Sequence, residues 1–289
     1  MTDRIKRMGA AKLVAVGDNC LDAFLNRDLL TVGGNALNVA VQWHRAGWNA
    51  RYFGAVGDDR EGDILLAEIA AAGLDPRDVE RRPGDTAVTL LRDNDGDRTF
   101  LLEAFGIGAH YEPSPERYAA VREADWVHLG TNASPALVQR LIGDGVRFSI
   151  DLSTSPFAFP IAGTPLVFAS GGDPGEAPPE RLLAALREAG AERAVVTCGA
   201  AGAYYDDGHA IRHVAAEPVE VVDTCGAGDS FIAVFVAALE IERLPPDEAL
   251  AKAAHAASQT CTYLGGFPQT PRPVPDWLPV KYAAAITAE

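Results

Sequence analysis

The run Asp223-Thr224-Cys225-Gly226-Ala227-Gly228-Asp229-Ser230-Phe231 sets a carboxylate and two glycines where a helical pattern begins. A Val-rich apolar segment (Val219, Val221, Val222) leads into it. Apolar residues follow at Phe231, Val234, Phe235, Ala238 and Leu239, the spacing of one helix face. A helix N-terminus presents unpaired backbone N–H groups, which favour an anion such as phosphate. Gly226 and Gly228 let that backbone approach a ligand closely and adopt positive φ. A carboxylate at the same place would repel the anion unless it has its own task. We read Asp229 as a general base that takes the proton from a hydroxyl attacking the phosphate. Asp and Ser are also ordinary residues at a helix start. The string is not a Walker A loop, because no Gly-Lys-Ser/Thr follows.

Four other strings carry polar or Gly-rich chemistry. They are Val16-Gly17-Asp18-Asn19-Cys20-Leu21-Asp22, Gly33-Gly34-Asn35-Ala36-Leu37-Asn38-Val39-Ala40, Val56-Gly57-Asp58-Asp59 with Gly62, and Thr197-Cys198-Gly199-Ala200-Ala201-Gly202. Asp18 and Asp22 are turn formers at a strand end, or carboxylates that accept hydrogen bonds from ligand hydroxyls. Gly34 permits close backbone approach. Asn35 and Asn38 offer amides that donate and accept, although Asn38 also suits buried structural polarity. A strand ending in the glycine turn at Thr197, Gly199 and Gly202 is by itself a weak nucleotide signal.

In their order and spacing these strings resemble the signatures of the ribokinase-like carbohydrate kinases, the PfkB family. Within it, Gly-Asp-Asn-Cys together with Gly-Gly-Asn-Ala-Leu-Asn-Val-Ala-Val is most similar to the fructoselysine 6-kinases. The resemblance implies ATP-dependent phosphorylation of a primary hydroxyl of a sugar or sugar derivative. It implies Asp229 as base, with Gly226, Ala227 and Gly228 donating backbone N–H groups to the γ-phosphate. It implies sugar contacts from Asp18, Asp22, Gly33, Gly34, Asn35 and Asn38. Thr197, Gly199, Gly202, Asp223, Thr224, Gly226 and Gly228 would bound the nucleotide, with Mg2+ on ATP and a monovalent cation such as K+ near Asp223. One departure stands out. Where many members carry Asn-x-x-Glu, this chain reads Ser170-Gly171-Gly172-Asp173, so Asp173 would replace the Glu in ordering Mg2+ through water. Gly130-Thr131-Asn132 lacks an acidic residue that some ribose kinases place there, which disfavours ribose. Ketoses, including fructosamines such as fructoselysine, are the first substrate class. A nucleoside kinase is the alternative, and a nonenzymatic sensor of the same fold a third reading.

The elements that must position these residues follow from periodicity. Short apolar strands (13–17, 51–56, 126–129, 148–152, 166–169, 194–197) alternate with helical segments (36–46, 61–72, 135–142, 180–189), several closed by Gly. That rhythm implies a doubly wound, mostly parallel sheet flanked by helices. Residues 24–31 and 87–100 break it and read as extended. The polar turn Asp93-Asn94-Asp95-Gly96-Asp97 marks a hairpin in the second. With the resemblance, these become lid segments of about 23–32 and 86–102 on a single kinase domain spanning 1–289. A lid excludes water and limits wasteful ATP hydrolysis. Arg98 on that hairpin is a closing residue toward an anion, or a solvated charge. The lid is also a candidate homodimer surface. His255 and Ser258 lie on an apolar helix that borders adenine or only packs. The tail 268–279 is Pro-rich.

With 289 residues, 48% of them hydrophobic, the chain can bury a sizeable core. A formal net charge of -15 argues against nucleic acid and anionic membrane as main partners. Cys20, Cys198, Cys225 and Cys261 form neither a CxxC nor a zinc spacing, and reduced, buried thiols suit a cytoplasmic protein. Residues 1–12 carry no signal-peptide core, and no stretch approaches a membrane span.

Overall fold

A computed structural model describes residues 10–94, 97–153, 160–171 and 178–287, with the side chains of 94–98 left out. The chain opens with β1 (Lys12–Val16), passes through β2 (Cys20–Phe24) and β3 (Leu29–Gly33) into α1 (Asn35–Arg45), and returns as β4 (Asn49–Phe53), β5 (Ala55–Gly57) and α2 (Arg60–Ala71). Next come β6 (Glu80–Arg82), β7 (Val88–Asn94), β8 (Asp97–Ala104), α3 (Pro115–Arg122), β9 (Trp126–Leu129), α4 (Pro135–Gly143) and β10 (Phe148–Asp151). Then β11 (Leu166–Ser170), α5 (Pro179–Glu188), β12 (Ala194–Thr197), β13 (Ala203–Asp206) and β14 (Ile211–Val214) lead to α6 (Ala227–Val236) and α7 (Pro246–Thr260).

The main sheet has eight strands in the order β14-β13-β12-β11-β10-β9-β1-β4. It is parallel from β4 to β12, and the β12–β13–β14 edge is antiparallel. Side-chain alternation explains why its strands read as continuous apolar runs. Leu13, Ala15, Leu166, Phe168 and Val195 point to a core shared with α1, α6 and α7. Val14, Val16, Val167, Ala169 and Val196 point to a second core shared with α3, α4 and α5. A strand covered on both faces needs apolar residues at every position.

The second sheet runs β3-β2-β7-β8. Its alternation is polar against apolar. Leu21, Ala23, Val88 and Leu90 enter the first core, while Cys20, Asp22 and Thr89 line a small cavity. The tail secures its β3 edge. Gln269 donates to the Val32 carbonyl and accepts from the Val32 N–H, both at 2.9 Å, and Arg272 bridges Leu30. Such cover protects an otherwise unpaired strand edge.

Several boundaries differ from the sequence reading. Residues 24–31 are two strands joined by a turn at 25–28, not one extended segment. The 51–56 strand is divided at Gly54, where a Cβ would stand 2.1 Å from the Tyr52 hydroxyl. The Val-rich segment before Asp223 is irregular, and Val221 and Val222 are 59% and 62% exposed. Their apolarity serves a cavity wall, since Val219 and Val221 line the larger pocket. The β13–β14 hairpin was not foreseen, because Ile211–Val214 alternates exposed and half-buried residues without a strong apolar run. All four cysteines are free; only Cys198 is fully buried. No helix among the described residues is long and apolar enough to cross a membrane.

Candidate active site

The structure brings Asp18, Asn35, Asn38 and Asp229 together at the C-terminal ends of the parallel strands, where open α/β sheets place their ligands. Helix α1 starts after Gly34, which has φ +110° and offers no side-chain cap. The cap comes from the β1–β2 connection instead. Asp18 accepts from the N–H of Asn35 at 2.8 Å and of Ala36 at 3.3 Å. Asp18 thus holds the Gly33–Asn38 turn in place, and it also lines the small cavity. Gly34 is required twice over, by its φ and because a Cβ would lie 2.5 Å from Asn19 Cα.

Asp229 lies in the first turn of α6. Its two oxygens accept from Asn35 Nδ2 and Asn38 Nδ2, each at 2.6 Å. Burial, with the charges of Asp151 and Asp18 adding to it, pushes its carboxyl up to about 7 against the lowering effect of the two amides. Burial raises Asp151 to about 6 and lifts Asp18 as well. A carboxylate poised near neutrality is suited to proton abstraction. The sequence reading missed Asp151. Its signal was a carboxylate at the C-terminal end of a buried strand, and its importance comes from Asn35 Nδ2, which donates to it at 2.8 Å.

The larger cavity, about 640 Å³, is lined by Asp229, Ala227, Gly228, Thr224, Thr197, Gly199 and Gly202. Gly226 caps α6 with φ +73°, and a Cβ there would strike Gly266 at 2.2 Å. A Cβ on Gly228 would meet nothing within 4 Å. The Ala227 N–H turns back to the Thr224 carbonyl at 3.3 Å, which leaves it a weaker anion donor than expected. Asp223 is buried and accepts from the N–H groups of Cys225 (2.8 Å) and Gly265 (2.9 Å), so it ties the loop to the 265–266 turn. Gly202 has φ +92°, with Val214 O only 1.9 Å from where a Cβ would sit. Ser258 lines the cavity; His255 instead pairs with Glu217 at 2.7 Å on the surface.

The small cavity, about 190 Å³, is lined by Asp18, Asp22, Gly34, Thr89 and Glu103 among others. A Cβ on Gly33 would stand 3.1 Å from Asp22 Oδ2, so a side chain there would press on that carboxylate. Asp59 has a structural task. It caps α2 through Gly62 N–H and accepts from the Thr86 N–H and hydroxyl, which fixes the start of the β7 segment. Asp173 lies outside the described residues, as does the side chain of Arg98, which sits on β8 opposite Asp93.

A doubly wound sheet with a small second β-sheet, a larger cavity lined by Asp229 and a smaller one lined by Asp18, Asp22 and Glu103 suits an α/β enzyme with two small-molecule substrates. The model of the pfkB family carbohydrate kinases matches residues 25–143 and 169–272. Fructoselysine 6-kinase of Escherichia coli is 35% identical over 261 residues, covering 88% of this chain and 99% of that one. Fructosamine kinase FrlD of Bacillus subtilis is 29% identical, covering 89% and 93%. In fold, the chain superposes on Arabidopsis thaliana ribokinase, solved with ribose and ATP, with a TM-score of 0.76, 20% identity, and 98% and 100% coverage. The chain belongs to the pfkB family of carbohydrate kinases, ATP-dependent enzymes built on the ribokinase-like fold.

Proposed function

We propose that the protein is a fructosamine kinase, transferring the γ-phosphoryl group of ATP to a primary hydroxyl of a ketose derivative such as fructoselysine. The observation that carries the reading is Asp229, held by Asn35 and Asn38 at the first turn of α6 and facing the larger cavity. The similarity to a fructoselysine 6-kinase and a fructosamine kinase supports the substrate class. In this reading ATP occupies the larger cavity, with its γ-phosphate toward Gly226 and Gly228. The sugar occupies the small cavity, its hydroxyls donating to Asp22. Asp229 takes the hydroxyl proton as the oxygen attacks phosphorus, and the start of α6 stabilises the charge that develops. The second sheet acts as a lid over the sugar.

Mg2+ fits the donor chemistry at this place. Phosphate oxygens of ATP in the larger cavity would supply its ligands together with water, and Asp173, which the sequence reading assigns to ordering it, lies outside the described residues. When bound, it would neutralise phosphate charge during transfer. A monovalent cation such as K+ beside the Asp223 loop, a homodimer formed through the lid and a cytoplasmic setting belong to the same proposal. The test is ADP release with Mg·ATP across fructoselysine, other fructosamines, fructose, ribose and nucleosides. Highest kcat/KM on the fructosamines is expected; preference for nucleosides would overturn the reading. Phe105, exposed at the rim of the small cavity, is the surface a nucleobase would need for stacking.

A further inference from the structure

We propose that His128 is a positioning residue for the phosphoryl-transfer base: through Asn35 it fixes one amide as a permanent hydrogen-bond donor to Asp229. The proposal rests on the reading of Asp229 as that base.

The argument is one of hydrogen-bond directions. Asn35 Nδ2 carries two hydrogens, and both go to carboxylates, Asp229 Oδ1 at 2.6 Å and Asp151 Oδ2 at 2.8 Å. Its Oδ1 therefore faces His128 Nε2, 3.0 Å away. An amide oxygen cannot donate, so His128 must carry its proton on Nε2. Its Nδ1 is then an acceptor, facing Ser149 Oγ at 3.0 Å. Ser149 has one hydroxyl hydrogen to give, and its oxygen receives the indole N–H of Trp126, a donor only, at 3.0 Å. The chain runs one way: Trp126, Ser149, His128, Asn35, then the two carboxylates. Turning the Asn35 amide over would set donor against donor at His128 and acceptor against acceptor at Asp229 and Asp151.

His128 has no solvent exposure. Its ring meets the edges of Trp43 and Phe168, and burial lowers it to about 3, so it stays neutral. Asn38 makes the contrast. Its Nδ2 also donates to Asp229, but its buried Oδ1 has no partner among the described residues. Asn38 is thus able to turn over and accept from Asp229 once the carboxyl has taken the substrate proton. Asn35 cannot. One amide follows the proton; the other always favours the ionised base. The charged groups facing Asp229 among the described residues are Asp151 from β10 and Asp18 from the β1–β2 connection, and both oppose its ionisation. A fixed donor counters them.

The test compares kcat–pH profiles. His128→Phe frees the Asn35 amide to present its oxygen, so the acidic midpoint should move up by about one pH unit, with activity recovering at high pH. His128→Gln, which carries an N–H to the place of Nε2, should restore the wild-type midpoint. A role in packing alone would lower kcat equally at all pH values, and that result would overturn the proposal. Should His128→Phe not fold, the wild-type imidazole ¹⁵N shifts decide: a neutral Nε2–H ring from pH 5 to 9 supports the relay, and an Nδ1–H ring overturns it. Asp229→Asn measured alongside separates the two readings. If it retains turnover, the base assignment fails. If it is inactive while His128→Phe leaves the midpoint in place, only the relay fails.

Discussion

The two cavities are built from different materials. The larger one is walled by glycine turns, backbone at the start of α6 and apolar side chains such as Phe231 and Ile232. The smaller one presents Asp18, Asp22 and Glu103 from the β1–β2 connection and the second sheet. In the proposed reading, backbone recognises what every ATP has in common, a polyphosphate. Side-chain carboxylates can read an arrangement of hydroxyls and cationic groups, which differs from sugar to sugar. In the proposed reading the contrast predicts that substrate choice can drift by side-chain replacement around the smaller cavity, while the nucleotide side tolerates little change at Gly202 and Gly226, where a Cβ would strike backbone.

The sharpest way to break this division is at Asp229, which the proposed reading sets to work on both substrates. Asp229→Asn should lower kcat by roughly 10²–10⁴-fold, measured by ADP release, with both KM values within a few-fold of wild type. It should also raise the thermal midpoint at pH 8, because it removes a buried charge facing Asp151 and Asp18; a lower midpoint would contradict the crowded-carboxylate picture. Next in size, Asp22→Asn should raise the sugar KM by about 10–100-fold, the loss of a charge-assisted hydrogen bond. An equal rise in the ATP KM would end the separation of the two cavities.

Acidification should act through the proposed base. The folded-state carboxyl of Asp229 is raised to about 7, so kcat should fall about tenfold per unit below that pH and level off above it. The stability linkage has the opposite sense. A raised carboxyl keeps its proton longer in the folded state, so its stabilising contribution is complete below about pH 4 and is lost as pH rises through about 7. Urea midpoints across that range check the sign.

Smaller effects grade the nucleotide wall. Gly202→Ala, with its φ of +92° and Val214 O in the way, should lower thermal stability and raise the ATP KM more than Gly199→Ala, whose φ is +50° but whose surroundings are open. The smallest expected change is Gln269→Ala. Losing two bonds to the β3 edge should raise the sugar KM a few-fold and leave the ATP KM alone.

Much of the fold could be read from local chemistry. The β1, β9, β11 and β12 strands were recognisable because both faces are buried, and helices closed by Gly47, Gly73 and Gly190 ended where those residues take positive φ. The exposed β14 strand carried no such pattern. The Val219–Val222 segment carried a misleading one, since a cavity wall and a strand ask for the same apolar residues. Asp18 was legible as a polar strand-end residue, but its capping of α1 across the β1–β2 connection was not. Asp59 gave the reverse case: its string matched the family, while its oxygens serve the fold.

The sequence by itself determined the phosphate-friendly helix start, the glycines that open it and the presence of Asp229, because these depend on neighbours along the chain. Only the tertiary structure decided what Asp229 can do. Its two amide partners lie 194 and 191 residues away, and Asn35 reaches across 116 residues to Asp151. A carboxyl becomes a base near neutrality through burial and surrounding charge, and those exist only once distant segments have packed.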